Sequence, residues 1–303
     1  MAKYWKSVRY TVYIASYIQY TSLSYDMARS NRLLTSRECK IMLDTNRFMD
    51  RKKGTHEIST IIERLVKGQG GNFKADVEEK ERRTWYLDTN VYELYHNNNF
   101  LLRIRKKKNS DEHDLTLKCR HPDRYVSASY DLTSSVKDIE IKFEEDIVTD
   151  KTNPFISKFS LSASLKRDQE PDLYTIKDLV SVFPGLDLEI DANKTLTKVN
   201  NFEAIEIASE IGKVTFAGDK TVKAELNLWY SSAEQEKPMI VEFTFNYKAK
   251  NHDEQKDMLL EEYPHTLVTR AGAFYKSLRM EDVVDLNTTK TKTDFVYQNK
   301  CIS

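Results

Sequence analysis

Cysteine, glycine and proline are all scarce, at 3, 8 and 6 residues in a chain of 303. Three cysteines, Cys39, Cys119 and Cys301, cannot all pair and lack the spacing of metal ligands. This predicts ordinary thiols in a reducing compartment, the cytoplasm. So little glycine and proline argues against long disordered linkers, and no glycine-rich phosphate loop, nucleophile elbow or zinc motif is present. The chain is long enough to bury a substantial core.

The sequence also lacks an excess of charge of either sign. Lys and Arg number 47, as do Asp and Glu, so the formal net charge is +0. A general coat for nucleic acid or for a membrane surface requires a basic excess, so neither partner is expected. The run "RKKK" at 105–108 leaves a local nucleic-acid patch as an alternative, although a solvated strand end accounts for it more simply. Any site for an anion must therefore be local.

No segment has the apolar length of a membrane span. The stretch "YTVYIASYIQYTSLSY" follows Lys3, Lys6 and Arg9, which is the order of a signal peptide. Polar residues such as Ser16 and Gln19 interrupt it, and it has no convincing cleavage site. We expect residues 1–34 to form an N-terminal extension.

Alternating and helical patterns predict an α+β protein. Helical spacing indicates helices in "THEISTIIERLVKG" and "DLYTIKDLVSVFPGL", and in the region after residue 251, where Pro264 should break or kink the helix. About eight segments have the period of strands: "SRECKIML", "RRTWYLDT", two within "FLLRIRKKKNSDEHDLTLKCR", "VKDIEIKFEEDI", "KVTFAG", "VKAELNLWY" and "MIVEFTFNYK". Because many of these strands are neighbours in sequence, an antiparallel design is favoured over repeated βαβ units.

Each of these strands places its charged residues on one face, because alternate side chains of a strand point to opposite sides. The shared faces hold Glu38 with Lys40, Arg103 with Arg105, Lys118 with Arg120, Glu140 with Lys142, Lys223 with Glu225, and Glu242. A half-buried sheet with one solvated face explains this pattern without any function. Alternatively, eight strands are enough to close a barrel. A charged interior would then need a polyanion for its cations and a divalent cation for its carboxylates.

The ordered set of strand motifs resembles the CYTH superfamily, also called triphosphate tunnel metalloenzymes. The resemblance covers residues 35–250, and its most specific part is Tyr86-Leu-Asp-Thr89 before Leu102-Arg-Ile-Arg105 and Leu115-Thr-Leu-Lys118. It implies a closed eight-stranded antiparallel β-barrel, a tunnel with helices packed outside, and activity on a triphosphate group with Mg²⁺ or Mn²⁺. Residues 251–303 are then a C-terminal helical segment and a polar tail.

The resemblance also implies roles for residues. It assigns catalysis to Glu38, Lys40 and Glu140, metal binding to Glu38, Glu225 and Glu242, and phosphate binding to Lys40, Arg103, Arg105, Lys118, Arg120, Lys142 and Lys223. The first-strand signature of the family is Glu-x-Glu-x-Lys, whereas this chain has Ser36, Glu38 and Lys40 at those positions.

These observations lead us to expect a metal-dependent phosphohydrolase acting on inorganic tripolyphosphate, a nucleoside triphosphate or thiamine triphosphate. The partner would be a small molecule that carries a triphosphate. Ser36 favours an alternative, a binding module that holds polyphosphate or a nucleotide without turnover. An adenylate cyclase of the same fold is a further alternative.

Overall fold

The computed structural model describes residues 32–217, 220–248, 265–287 and 291–298. The strands are β1 (Ser36–Met42), β2 (Asn72–Asp88), β3 (Phe100–Lys107), β4 (His113–His121), β5 (Glu140–Val148), β6 (Ile156–Arg167), β7 (Thr197–Ala217), β8 (Lys220–Tyr230) and β9 (Ile240–Lys248). The helices are α1 (Arg51–Gly68), α2 (Glu93–Asn98), α3 (Arg124–Ser129), α4 (Ile176–Val182), α5 (His265–Leu278) and α6 (Lys292–Gln298), with a 3₁₀ turn at Thr45–Phe48. Most of the predicted N-terminal extension, and Pro264, lie outside the described residues.

The strands form one sheet that closes into a ring in the order β1-β5-β6-β4-β3-β2-β7-β8-β9. The α+β class is confirmed, but the prediction of eight strands, all antiparallel, is wrong. The described ring has nine strands, and β1 runs parallel to β5, with Glu38 opposite Asp146. The strand that was not predicted is β6, which lies between β4 and β5. A closed ring with an odd number of strands cannot be antiparallel throughout, so one parallel pair follows from the count.

Helices cover the outside of the ring, as the alternation of the strands predicts. Ile41 of β1 and Phe243 of β9 pack in one core with Ile62 of α1 and with Phe274 and Tyr275 of α5. Helices α3 and α4 form a second core with the outward residues of β3 to β6. Burying an aliphatic or aromatic side chain contributes about 1.5–3 kcal/mol, so these two cores favour the orientation that puts the charged faces inside.

The C-terminal helix α6 packs at one end of the ring. Met42, Trp229 and Ile240 continue the strand faces that carry Lys40, Asn227 and Glu242, and they form an apolar cluster with Val296 and Tyr297 of α6. Helix α6 falls in the region predicted to be a C-terminal helical segment and a polar tail, and it buries its Val296 and Tyr297 side chains.

Two asparagines in β7 shape this end of the ring. Asn200 and Asn201 have φ angles of 53° and 51°, in the left-handed region that asparagine tolerates better than most residues. They lie where the register between β2 and β7 shifts, between Trp85 and Leu87. The Asn200 side-chain amide donates a hydrogen bond to the carbonyl of Val296 at 2.7 Å. The irregular strand thus anchors α6.

Cys39 and Cys119 are free thiols buried in the core. In the described parts of the chain, none of the helices is both long enough and apolar enough to cross a membrane.

A candidate triphosphate site inside the ring

The charged strand faces enclose a cavity of about 220 Å³. Seven basic side chains line it: Lys40, Arg82, Arg103, Arg105, Lys118, Arg120 and Lys292. Four acidic side chains join them: Glu38, Glu144, Glu225 and Glu242. Two further carboxylates, Asp146 and Glu206, lie buried against this lining. The basic side chains around the cavity still outnumber the carboxylates. The cavity is therefore positively charged, although the protein as a whole has no net charge.

Asp146 on β5 is the centre of one group of charges. Its carboxylate accepts from Arg120 at 2.7 Å, and the Lys40 ammonium lies 3.0 Å away. The Lys118 ammonium is 3.9 Å from the same carboxylate. The side chain of Asp146 is only 1% exposed, so water screens these interactions little. Asp146 therefore holds three predicted phosphate-binding cations in place.

Glu206 on β7 is the centre of a second group. Its carboxylate accepts from Arg82 at 2.6 Å and from the hydroxyl of Thr84 at 2.8 Å. Arg105 lies 3.2 Å away, and Lys292 of α6 lies 3.5 Å away. This carboxylate fixes cations from three separate elements on the other side of the cavity.

Arg103 differs from the other arginines of the cavity because no carboxylate of the described residues pairs with it. Its Nη2 donates to the Thr116 hydroxyl at 3.3 Å, and its buried Nε has no hydrogen-bond partner in the described structure. A guanidinium has five N–H donors, and leaving them unsatisfied in a buried place is costly. Arg103 is thus the cation with most capacity for an anion in the cavity.

The pKa directions follow from burial and from these pairs. Burial alone raises the pKa of Asp146, but Lys40, Lys118 and Arg120 outweigh it and hold that pKa well below its usual value. Burial and the neighbouring Arg103 lower the pKa of Arg105 to about 9, which still leaves it protonated at neutral pH. Burial, with Glu38 close by, raises the pKa of Glu225.

The structure brings most of the predicted site residues together. Glu38, Lys40, Arg103, Arg105, Lys118, Arg120, Glu225 and Glu242 all line the one cavity. Their common position supports the prediction that the charged strand faces form the site. The roles of the individual residues stay predictions.

Three predicted site residues lie outside the cavity. Glu140 and Lys142 pair with each other at 2.9 Å, and their side chains are 63% and 46% exposed. They share the strand face of Glu144 but precede it on β5. Lys223 pairs with Glu210, and its side chain is 58% exposed. A catalytic role for Glu140 and phosphate binding by Lys142 and Lys223 therefore have no support from the geometry.

Five charged residues of the site were not predicted: Arg82, Glu144, Asp146, Glu206 and Lys292. Asp146 is two residues beyond Glu144 on the same strand face, so the alternation already contained its signal. Arg82 could have been predicted in the same way, because it is two positions before Thr84 and four before Tyr86 and so lies on the same strand face. Glu206 belongs to a part of β7 that was not recognised as a strand, and Lys292 belongs to the segment predicted to be a polar tail.

The carboxylates do not form a preassembled metal site. In the described ranges, no group of three or more His, Cys, Asp or Glu side chains is close enough to hold a metal ion. The Glu38 carboxylate lies 2.9 Å from the Lys40 ammonium, and Glu242 lies 2.8 Å from the Lys292 ammonium. Two of the three predicted metal ligands are thus already neutralised by lysines. Binding of Mg²⁺ or Mn²⁺ remains a prediction of the family resemblance.

Comparisons with known proteins identify structures but no sequence relatives. No protein-family profile matches the chain, and no curated protein matches its sequence. The structure is similar to a candidate adenylyl cyclase from Hippeastrum that is described as having a dominant triphosphatase activity. The match covers 88% of this chain and 95% of the other, with 10% identity and a TM-score of 0.38.

Two further solved structures also match most of the chain. A candidate adenylate cyclase from Bacillus halodurans matches over 87% of this chain and 100% of the other, with 14% identity and a TM-score of 0.38. A protein from Pyrococcus horikoshii matches over 84% and 96%, with 14% identity and a TM-score of 0.29.

Proposed function

We propose that the cavity binds the triphosphate group of a small molecule and hydrolyses it with release of phosphate. The observation that supports this most is the concentration of seven basic side chains around about 220 Å³ in a chain with no net charge. Charge-assisted hydrogen bonds to phosphate oxygens are roughly twice as strong as neutral ones, and arginine makes them in pairs. A compact polyanion would satisfy these donors together.

The arrangement of the cations suits phosphoryl transfer. In such reactions the protein mainly positions the reactants and neutralises the charge on the phosphate oxygens. Arg103, Arg105 and Arg120 would bind the oxygens of the chain of phosphates, while Lys40 and Lys118 would complete the ring of positive charge. Water attacks the terminal phosphorus and gives a proton to the Glu38 carboxylate, while the bond from that phosphorus to the bridging oxygen breaks and its electron pair leaves with the bridging oxygen. Glu38, held by Lys40, is the carboxylate of the first strand that we assign to this step.

One observation favours binding without turnover as the second candidate function. Ser36 stands where the family signature has its first glutamate, and its hydroxyl donates to Glu144 at 2.8 Å. The side chain is thus committed to a structural hydrogen bond and supplies no carboxylate. A site with this change can retain its phosphate-binding cations and still lack turnover.

A phosphate-release assay separates these functions. We expect release of phosphate from at least one of tripolyphosphate, ATP, GTP and thiamine triphosphate, tested with Mg²⁺, with Mn²⁺ and with a chelator. The variant Lys118→Met should abolish most of that release, whereas Lys166→Met, on the exposed part of β6, should retain it. Tight binding of a triphosphate without release would establish the binding module. Formation of cyclic AMP from ATP would establish the cyclase.

A further inference from the structure

Of the cations that line the cavity, Lys292 was the least predictable from the sequence. It is the first residue of α6, more than forty residues after the last strand of the ring. Its ammonium lies 2.8 Å from Glu242 and 3.5 Å from Glu206, and 5.7 Å from the centre of the Trp229 ring. Trp229 and Glu206 are fully buried, so Lys292 enters a place that water screens poorly.

The helix that carries Lys292 is fixed at the end of the ring. The ring of Tyr297 stacks on Tyr95 with centroids 4.0 Å apart, and its hydroxyl donates to Asp88 at 3.2 Å. Val296 is 1% exposed. Because α6 is held by stacking, by a hydrogen bond to a buried carboxylate and by apolar packing, the position of the Lys292 ammonium is set by the fold.

The two carboxylates depend on Lys292 to different degrees. Glu206 also has Arg82 at 2.6 Å and Arg105 at 3.2 Å. Glu242 is 2% exposed, and Lys292 is its only ion-pair partner among the described residues. A buried carboxylate without a cation is strongly unfavourable. Without Lys292, this carboxylate would have to gain another cation or a proton.

We propose that Lys292 is a built-in counter-ion that takes the place of a divalent cation at Glu242, so that the docked C-terminal helix and a bound metal compete for this carboxylate. This accounts for the disagreement between the metal site that the family resemblance implies and the paired carboxylates of the cavity. The proposal does not depend on hydrolysis of a triphosphate, because it concerns only which cation lies beside Glu242.

The test is Mn²⁺ binding to Lys292→Met, with no triphosphate present. Methionine keeps most of the length of the side chain and removes the charge. We expect this variant to melt at a lower temperature than the wild type, and to bind Mn²⁺ at least tenfold more tightly in a calorimetric titration. Mn²⁺ should restore its melting temperature. Gln298→Ala, an exposed position at the other end of α6, is the matched control and should bind Mn²⁺ as the wild type does.

The double variant Glu242→Gln/Lys292→Met removes both charges. It should fold without metal and should lose the gain in Mn²⁺ affinity. Equal Mn²⁺ affinity in the wild type and in Lys292→Met would overturn the proposal, as would a gain that persists in the double variant. If Lys292→Met folds only with Mn²⁺ while the double variant folds without it, the proposal is supported. If both variants fail to fold with or without Mn²⁺, Lys292 acts through packing on Trp229 and the proposal is wrong.

Discussion

Asp146→Asn is expected to lower the free energy of unfolding by about 3–5 kcal/mol, the range found when one partner of a buried ion pair is removed. The substitution keeps the size of the side chain and takes away the charge that Lys40, Lys118 and Arg120 share. These cations lie 2.7–3.9 Å from the carboxylate, and the side chain is 1% exposed. Urea denaturation followed by circular dichroism gives the loss directly.

Glu144→Gln is the matched control for this substitution. Glu144 is on the same strand face, but its ion pair with Lys118 is longer, at 3.7 Å, and its side chain is 18% exposed. We expect a loss of no more than about 1 kcal/mol, as for partly exposed pairs. Tripolyphosphate should recover part of the loss in Asp146→Asn, because it returns negative charge to the three cations. Similar small losses in both variants would contradict the view that Asp146 organises the cavity.

Arg103→Ala is expected to weaken the binding of tripolyphosphate by roughly tenfold to a hundredfold. A hydrogen bond to a charged group contributes about 1.5–3 kcal/mol, and within the described ranges no carboxylate pairs with Arg103 and competes with the ligand. The free protein should not lose much stability, since the substitution also removes a buried donor that has no partner. Calorimetric titration at about 0.15 M salt, where distant charges are screened, measures the change.

Arg83→Ala is the control for Arg103→Ala. Arg83 is on the neighbouring strand β2, on the face opposite to Arg82, and its side chain is 64% exposed beside Glu203. Removing it changes the net charge by the same amount, so a general electrostatic effect would appear in both variants. We expect less than about a twofold change in affinity for Arg83→Ala, because water and salt screen exposed charges. Wild-type affinity in Arg103→Ala would remove this residue from the site.

The alternation of charged and apolar residues was sufficient to predict which side of the sheet carries function. Leu102 and Ile104 pack outward, while Arg103 and Arg105 face the cavity. A strand face has a period of two, so a correct strand assignment fixes the side of every residue on it. This is why eight predicted residues from five strands meet in one cavity, although their sequence positions span more than two hundred residues.

The strand that sequence reasoning missed has a neutral inner face. In β6 the inward positions are Ser160, Ser162 and Ser164, opposite Glu144, Lys142 and Glu140 of β5. Serine contrasts little with its apolar neighbours, so the alternation of charge that marked the other strands is absent. The ring consequently has one strand more than predicted and one parallel pair, β1 with β5.

The position at which the cavity ends along each strand, and the docking of α6, also could not be predicted from the sequence. Nothing in the alternation of β5 tells where the cavity ends and the solvent begins, so Glu140 and Lys142 could not be distinguished from Glu144. Lys292 depends on the docking of α6, which rests on contacts between residues far apart in sequence, such as Tyr297 with Asp88. Such contacts have no local pattern.

The most direct test of the charged cavity is the melting temperature of the protein with tripolyphosphate compared with sulfate at equal ionic strength. A ligand that binds only the folded state stabilises it by about 2.7 kcal/mol at a hundredfold excess over its dissociation constant. We predict a clear rise with tripolyphosphate, a smaller one with sulfate, and loss of most of the difference in Arg103→Ala/Lys118→Ala. Equal shifts with the two anions, unchanged in the double variant, would show that the cations act as a solvated face and would contradict a triphosphate site.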